Sequence, residues 1–371
     1  MRYIETLRLT DFRSYAHMDL SLTGNPVVLF GENGAGKTNL LEAISFLSPG
    51  RGLRRAKPDS IARRSGESLA PAWGITAQLG GLDLPVKLAV GQVPEKPRRR
   101  QIRIDDKPAA GTALASYMTM MWLTPAQDRL FIGPSSDRRK FLDRFTLVHT
   151  PSHGFASLRY EKLRTERNRL LSEGINDPAW FGALETDMAE HGSKIAQARA
   201  VTVNHLIAEL SDQADSAFPR AGLMLNGEAE SHAQNGWDVD EIADFIRQDL
   251  ANGRARDMRA GRTLSGIHKT DLQVTHLGKN MPAEACSTGE QKALLISLIL
   301  AHARAQSTRA PILLLDEVAA HLDVHRRGAL IEHLLALGTQ LFMTGTDQSL
   351  FDAFNGRADM LRVSNGTLER V

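Results

Sequence analysis

Intrachain disulfides are excluded, because the 371 residues contain a single cysteine, Cys286. The same scarcity excludes a four-cysteine zinc site and fits a reducing compartment. Long apolar runs are missing too: residues 293–301 form the longest and are far too short to cross a bilayer. Residues 1–8 contain no apolar leader core. These absences lead us to expect a cytoplasmic protein with no membrane partner. Neither sign of charge dominates. Lys and Arg number 45 against 43 Asp and Glu, a net +2, so only local clusters could argue for a nucleic-acid partner. There is no internal repeat, no low-complexity tail and no run of heptads long enough for coiled-coil arms. His268, His302 and His321 are not at a metal-ligand spacing. The four tryptophans and Cys286 read as packing residues.

What is present alternates between two textures. Leu7 and Leu9 alternate with polar neighbours, and the apolar run 26–30 stops at Gly31, as a buried central strand would. Leu40, Leu41, Ile44 and Leu47 then recur at helical spacing until Pro49-Gly50. Residues 75–104 read as strands and turns. After Gly133-Pro134, where Ser135 or Ser136 can cap a helix, strand signals give way to helical periodicity over 158–171 and 180–210. Buried-strand patterns return at 312–315 and 341–343. The expected fold class is α/β. Residues 1–133 supply the N-terminal half of a nucleotide-binding head, 134–260 a mainly helical inserted lobe, and 261–371 the C-terminal half of the head.

The chemistry begins at Gly31-Glu32-Asn33-Gly34-Ala35-Gly36-Lys37-Thr38, which has the spacing of a P-loop and follows an apolar strand. Glycines let the backbone wind closely around phosphates, and a helix N-terminus adds partial positive charge. Lys37 is expected to reach the β- and γ-phosphates of ATP, and the Thr38 hydroxyl to ligate Mg²⁺. The apolar run 312–315 ends in Asp316-Glu317, a Walker B pattern. Asp316 is expected to hold the Mg²⁺, and Glu317 to deprotonate the attacking water. Between the two motifs, Ser287-Thr288-Gly289-Glu290-Gln291-Lys292 opens a helical run. A serine hydroxyl, a glycine and a helix N-terminus can form a γ-phosphate pocket, although a plain capping box reads the same way. Together with Walker B and His321-Leu322-Asp323, this stretch resembles the ABC signature and D-loop. In that family Ser287 and Gly289 would close over the nucleotide of the opposite protomer. Thr344-Gly345-Thr346-Asp347 stands where such proteins place a switch residue, without the usual histidine, so the γ-phosphate sensor stays open.

Four further stretches narrow the resemblance. These are Leu9-Thr10-Asp11-Phe12-Arg13-Ser14-Tyr15, the P-loop followed by Leu41-Glu42-Ala43-Ile44, Asp137-Arg138-Arg139-Lys140-Phe141-Leu142-Asp143, and Gly266-Ile267-His268-Lys269-Thr270-Asp271-Leu272. Across nearly the whole chain they resemble the bacterial RecF family of recombination-repair ATPases. Departures occur at Gly266-Ile267-His268-Lys269, where the family usually has Gly-Pro-His-Arg, and at Pro125-Ala126-Gln127-Asp128, where it usually has Pro-Glu-Asp. The resemblance implies an ATP-dependent homodimer on double-stranded and gapped DNA. It also implies slow, DNA-stimulated hydrolysis, and work with RecO and RecR to load RecA. Gln127 becomes a candidate nucleotide ligand on the same ground.

Basic clusters give a separate hint of DNA. One comprises Arg51, Arg54, Arg55, Lys57, Arg63 and Arg64; a second Lys96, Arg98, Arg99, Arg100 and Arg103; a third Arg138, Arg139 and Lys140. Such clusters suit backbone phosphates, and no recognition-helix signature accompanies them. A solvated charged face is the competing reading. An SMC-like chromosome ATPase and a transporter nucleotide-binding subunit remain alternatives. The first would need long heptad arms and the second a membrane partner.

Overall fold

The structure is a computed structural model, and it describes residues 2–66, 68–95, 100–211, 217–306 and 310–371. Two compact units result, one from residues 1–128 and 306–371, the other from 129–305. The first takes two stretches that are far apart in sequence, over narrower bounds than the 1–133 and 261–371 read from sequence. The second is larger than the lobe read from sequence. It reaches Ala305 and so takes in the signature helix, which the sequence reading assigned to the C-terminal half of the head. The reason is pairing at long range: strand Asp271–His276 joins Ala221–Asn226 in an antiparallel sheet that no local pattern announces.

Two six-stranded sheets form the body of the head. One is antiparallel, in the order Tyr15–Ser21, Tyr3–Phe12, Trp73–Gly80, Val86–Gln92, Gln101–Ile104, Lys107–Pro108. Its strands alternate buried and exposed residues, as sheets covered on one face do. The other sheet runs Met120–Leu123, Ile312–Leu315, Leu341–Gly345, Val27–Phe30, Asp359–Ser364, Thr367–Arg370. Its first five strands are parallel. Val27–Phe30, Ile312–Leu315 and Leu341–Gly345 are buried at every position, which explains the unbroken apolar runs 27–30, 312–315 and 341–343. One apolar core, with Phe12, Leu29, Leu41, Phe46, Trp73 and Leu314 among its members, fills the head. Gln340 ties the sheets at one edge: its Oε1 accepts from the Ile4 amide at 2.8 Å, and its Nε2 donates to the Ile4 carbonyl at 3.1 Å.

Helices Ser135–His149, His153–Ser172, Pro178–Ser211, Glu228–Gln234, Val239–Ala260 and Thr288–Arg304 make up most of the second unit. Pro178 opens the longest of them, where a missing amide hydrogen does no harm. The first is capped by the extended backbone of Pro134 and by neither serine side chain. Arg167 is wholly buried there. It donates to Glu185 at 3.1 Å, Asp257 at 2.7 Å, the Thr263 hydroxyl at 2.8 Å and the Leu250 carbonyl at 3.0 Å, so its charge is fully compensated.

Candidate functional site

The P-loop hangs between the buried strand Val27–Phe30 and helix Lys37–Ser45. Gly31 and Gly36 take φ of 148° and 115°. A Cβ at Gly31 would lie 2.3 Å from the Val363 carbonyl oxygen, and one at Gly36 2.7 Å from Ser14 Oγ, so neither position admits a side chain. Other donors fix the loop's carbonyls. The Tyr15 hydroxyl donates to Gly36 O at 3.0 Å, and the Gly366 amide to Ala35 O at 3.1 Å. Lys37 folds over its own loop and donates to the carbonyls of Gly31 at 2.5 Å and Glu32 at 2.8 Å. Burial pushes its ammonium below the ordinary lysine range, opposed by the charges of Glu317 and Asp316.

Asp316 and Glu317 follow the strand Ile312–Leu315, two places along the same sheet from the P-loop strand. Asp316 Oδ1 accepts from the Thr38 hydroxyl at 3.0 Å and from the Thr344 hydroxyl at 2.8 Å. Burial raises the Asp316 carboxyl above its usual range, while those two hydroxyls and the nearby charge of Arg54 pull it back. The Glu317 amide donates to Thr344 Oγ1 at 2.9 Å, with Glu317 itself at φ 54°. Thr344 opens the stretch that the sequence places at the switch position. Here it is fully buried and touches both acids. The donors gathered here are a hydroxyl and a carboxylate, hard oxygen ligands. Mg²⁺ takes one or two such protein groups and completes its shell with phosphate and water, so the residues fit it. Among the described residues no cluster of three His, Cys, Asp or Glu forms an all-protein metal cage.

Gln127 lies in the short turn Pro125–Gln127 after strand Met120–Leu123. Its Oε1 accepts from the Thr124 amide at 3.0 Å, so in this structure the carboxamide caps its own turn. Ser287 begins helix Thr288–Arg304. Its hydroxyl donates to Glu290 Oε2 at 2.8 Å, and the same oxygen accepts the Ser287 amide at 2.9 Å. Lys279 pairs with the other carboxylate oxygen, Oε1. Lys279 and the Ser287 groups hold the Glu290 carboxyl down to about 2. Both readings of this stretch survive. It is a capping box, and a Cβ on Gly289 would meet nothing within 4 Å, so no packing in this chain calls for glycine there. Asp323 caps the next helix by accepting from the Arg326 amide at 2.9 Å, while the His321 side chain lies outside the described residues.

The basic clusters divide. Arg54 donates to Asn39 Oδ1 at 2.7 Å and to Glu42 at 3.3 Å, and Arg13 grips the same buried Glu42 through two bonds of 3.0 Å. Arg54 therefore braces the P-loop helix, a role that sequence reasoning missed. Arg138 forms a fork on Asp271 at 2.7 and 2.8 Å and donates to the Gly133 carbonyl at 2.6 Å, and Arg139 donates to the Thr270 carbonyl at 2.8 Å. These bonds join residues 137–143 to 266–272 within the second unit, where Arg138 and Arg139 are half-buried. Arg51, Arg55 and Lys57 are exposed. Lys96, Arg98 and Arg99 lie outside the described residues.

Residues 3–369 match the RecF/RecN/SMC N terminal domain family. Among curated proteins, the chain is similar to the DNA replication and repair protein RecF of Mesorhizobium japonicum, at 48% identity over 99% of this chain and 97% of that one. The protein of the same name from Brucella suis is 50% identical over 99% and 96%. The one from Caulobacter vibrioides is 47% identical over 98% and 97%. Among solved structures, the recombination mediator protein RecF-ATPrS in the RecFOR pathway superposes with a TM-score of 0.85 at 21% identity, covering 100% of this chain and 98% of that one. The Smc head domain of Pyrococcus furiosus reaches 0.57 at 16% identity, over 100% and 96%. The head is thus a RecF- and SMC-like ABC ATPase fold, and the chain belongs to the RecF family of DNA replication and repair proteins.

Proposed function

We propose that the protein binds and slowly hydrolyses ATP with Mg²⁺, and that ATP joins two copies on double-stranded and gapped DNA. There it assists RecO and RecR in loading RecA for repair. One observation carries the nucleotide part: the Thr38 hydroxyl reaches Asp316 at 3.0 Å across 278 residues of sequence, so P-loop and Walker B form a single site. In that site Lys37 exchanges two backbone carbonyls for the β- and γ-phosphates. Mg²⁺, when bound by Thr38 and Asp316, supplies charge neutralisation at the phosphates. Glu317 orients the attacking water and accepts its proton. Ser287 and Gly289 face the partner copy's γ-phosphate, and Ser287 exchanges its bond to Glu290 for that contact. The mediator role is supported by relatives named as replication and repair proteins and by the solved RecF of the RecFOR pathway. The DNA surface is carried by Arg51, Arg55 and Lys57, which are exposed and clustered in sequence.

The test is equilibrium ATP binding. Lys37→Ala removes the cation that meets the phosphates, and the expected result is loss of ATP affinity with an unchanged circular-dichroism spectrum. Unchanged affinity would reject the nucleotide assignment, and with it the ATP-driven dimer.

A further inference from the structure

Thr344 has one hydroxyl and uses it twice. Its proton goes to Asp316 Oδ1 at 2.8 Å, and its lone pair takes the Glu317 amide at 2.9 Å. The residue is fully buried in Leu341–Gly345, a strand flanked by Ile312–Leu315 on one side and the P-loop strand on the other. Parallel pairing sets Met343 beside Leu315, which carries the next residue to the end of the Walker B strand. Asp316 Oδ1 is shared with the Thr38 hydroxyl, so one carboxylate oxygen meets both the P-loop and Thr344. Glu317 sits at φ 54°, where an ordinary side chain is strained, and its amide is held by this bond to Thr344.

We propose that Thr344 is a positioning residue of the ATP site: it orients the Asp316 carboxylate for Mg²⁺ and pins Glu317 in the backbone conformation from which its carboxylate meets the attacking water. The inference rests on the nucleotide reading above. It gives the strand after Walker B a role that does not depend on a switch histidine. A neighbour that orients a metal-binding carboxylate typically contributes about 10–100-fold to metal affinity or activity.

The experiment compares Thr344→Val, which keeps the shape and removes the hydroxyl, with Thr344→Ser, which keeps the hydroxyl and removes the methyl. ATP affinity is measured at equilibrium in EDTA and across a Mg²⁺ titration, alongside turnover and the thermal midpoint. For Thr344→Val we expect ATP affinity in EDTA within about twofold of wild type, and roughly 10–100-fold more Mg²⁺ to reach the half-point of the Mg²⁺-dependent gain. We expect kcat to fall by about the same factor with KM little changed, and Thr344→Ser to restore both. A wild-type Mg²⁺ half-point in Thr344→Val overturns the proposal. So does equal impairment of Thr344→Val and Thr344→Ser, or loss of ATP affinity in EDTA together with a fallen thermal midpoint, because each assigns Thr344 to packing. Failure of the nucleotide reading looks different, since wild type would then show no ATP binding and no Mg²⁺ response at all.

Discussion

Glu317 combines an acid with an unfavourable backbone. A positive φ on a residue with a side chain costs about 1–2 kcal/mol, and strain of this kind gathers at functional sites. Glu317→Gln keeps the backbone amide that Thr344 holds and removes only the base. Turnover is expected to fall about 10²–10⁴-fold while ATP affinity is retained, measured by single-turnover hydrolysis and equilibrium binding. Wild-type turnover would remove Glu317 from the chemistry. At this scale the sequence was informative wherever a backbone demanded a particular residue. Gly31 and Gly36 could be read as phosphate-loop glycines because no side chain fits there. Thr344 could not, because its role depends on which strand lies beside Ile312–Leu315, and register is not written in a single segment.

Between elements, the informative case is a histidine contact among three helices. His149 ends Ser135–His149, His205 lies in Pro178–Ser211, and His302 lies in the signature helix Thr288–Arg304. Ring centroids are 5.1 Å apart for His149 and His205, and 4.8 Å for His149 and His302. His302 is fully buried, with Nε2 bound to the Phe145 carbonyl at 3.0 Å and Nδ1 buried without a partner, which makes it a neutral ring protonated on Nε2. Burial, then His149 and His205, push His302 down to about 3, and burial with His205 pushes His149 to about 4. The unfolded chain therefore takes up protons at these sites from 6.5 downward while the folded chain refuses them, so stability falls as pH drops through that window. His302→Leu loses the bond to Phe145 and is expected to be less stable at pH 7.5. Its deficit should narrow by up to about 1.4 kcal/mol per pH unit toward pH 5, read from denaturant unfolding. A deficit that stays constant with pH would show His302 to be ordinary packing. Helices and buried strands were legible from periodicity, but charged runs were not. Arg138 looks like any surface arginine until Asp271, 133 residues away, is placed against it. The sequence reading groups the signature helix with residues 261–371, whereas it clusters here with residues 129–305, because its neighbours are distant in sequence.

For the whole molecule, the central expectation is that an ATP site takes its P-loop from one copy and its signature from another. Ser287→Arg should then leave ATP binding to a single chain nearly intact while blocking ATP-driven assembly, followed by sedimentation. Mixing Lys37→Ala with Ser287→Arg chains creates dimers in which one site carries both lesions and the other carries neither. Hydrolysis should reappear in the mixture. A mixture as inactive as its components, or a Ser287→Arg chain that still assembles with ATP, would leave Ser287 as a helix cap alone. The head's division between two distant stretches of chain has a consequence for synthesis. The P-loop strand Val27–Phe30 leaves the ribosome roughly 300 residues before both strands that flank it, Leu341–Gly345 and Asp359–Ser364, and Ile4 meets Gln340 336 residues later. Residues 129–305 can collapse on the ribosome while the phosphate loop still waits for its neighbours. A chain that stops short of those strands lacks both flanks of its P-loop strand, so stabilisation by ATP is expected only once they have been translated.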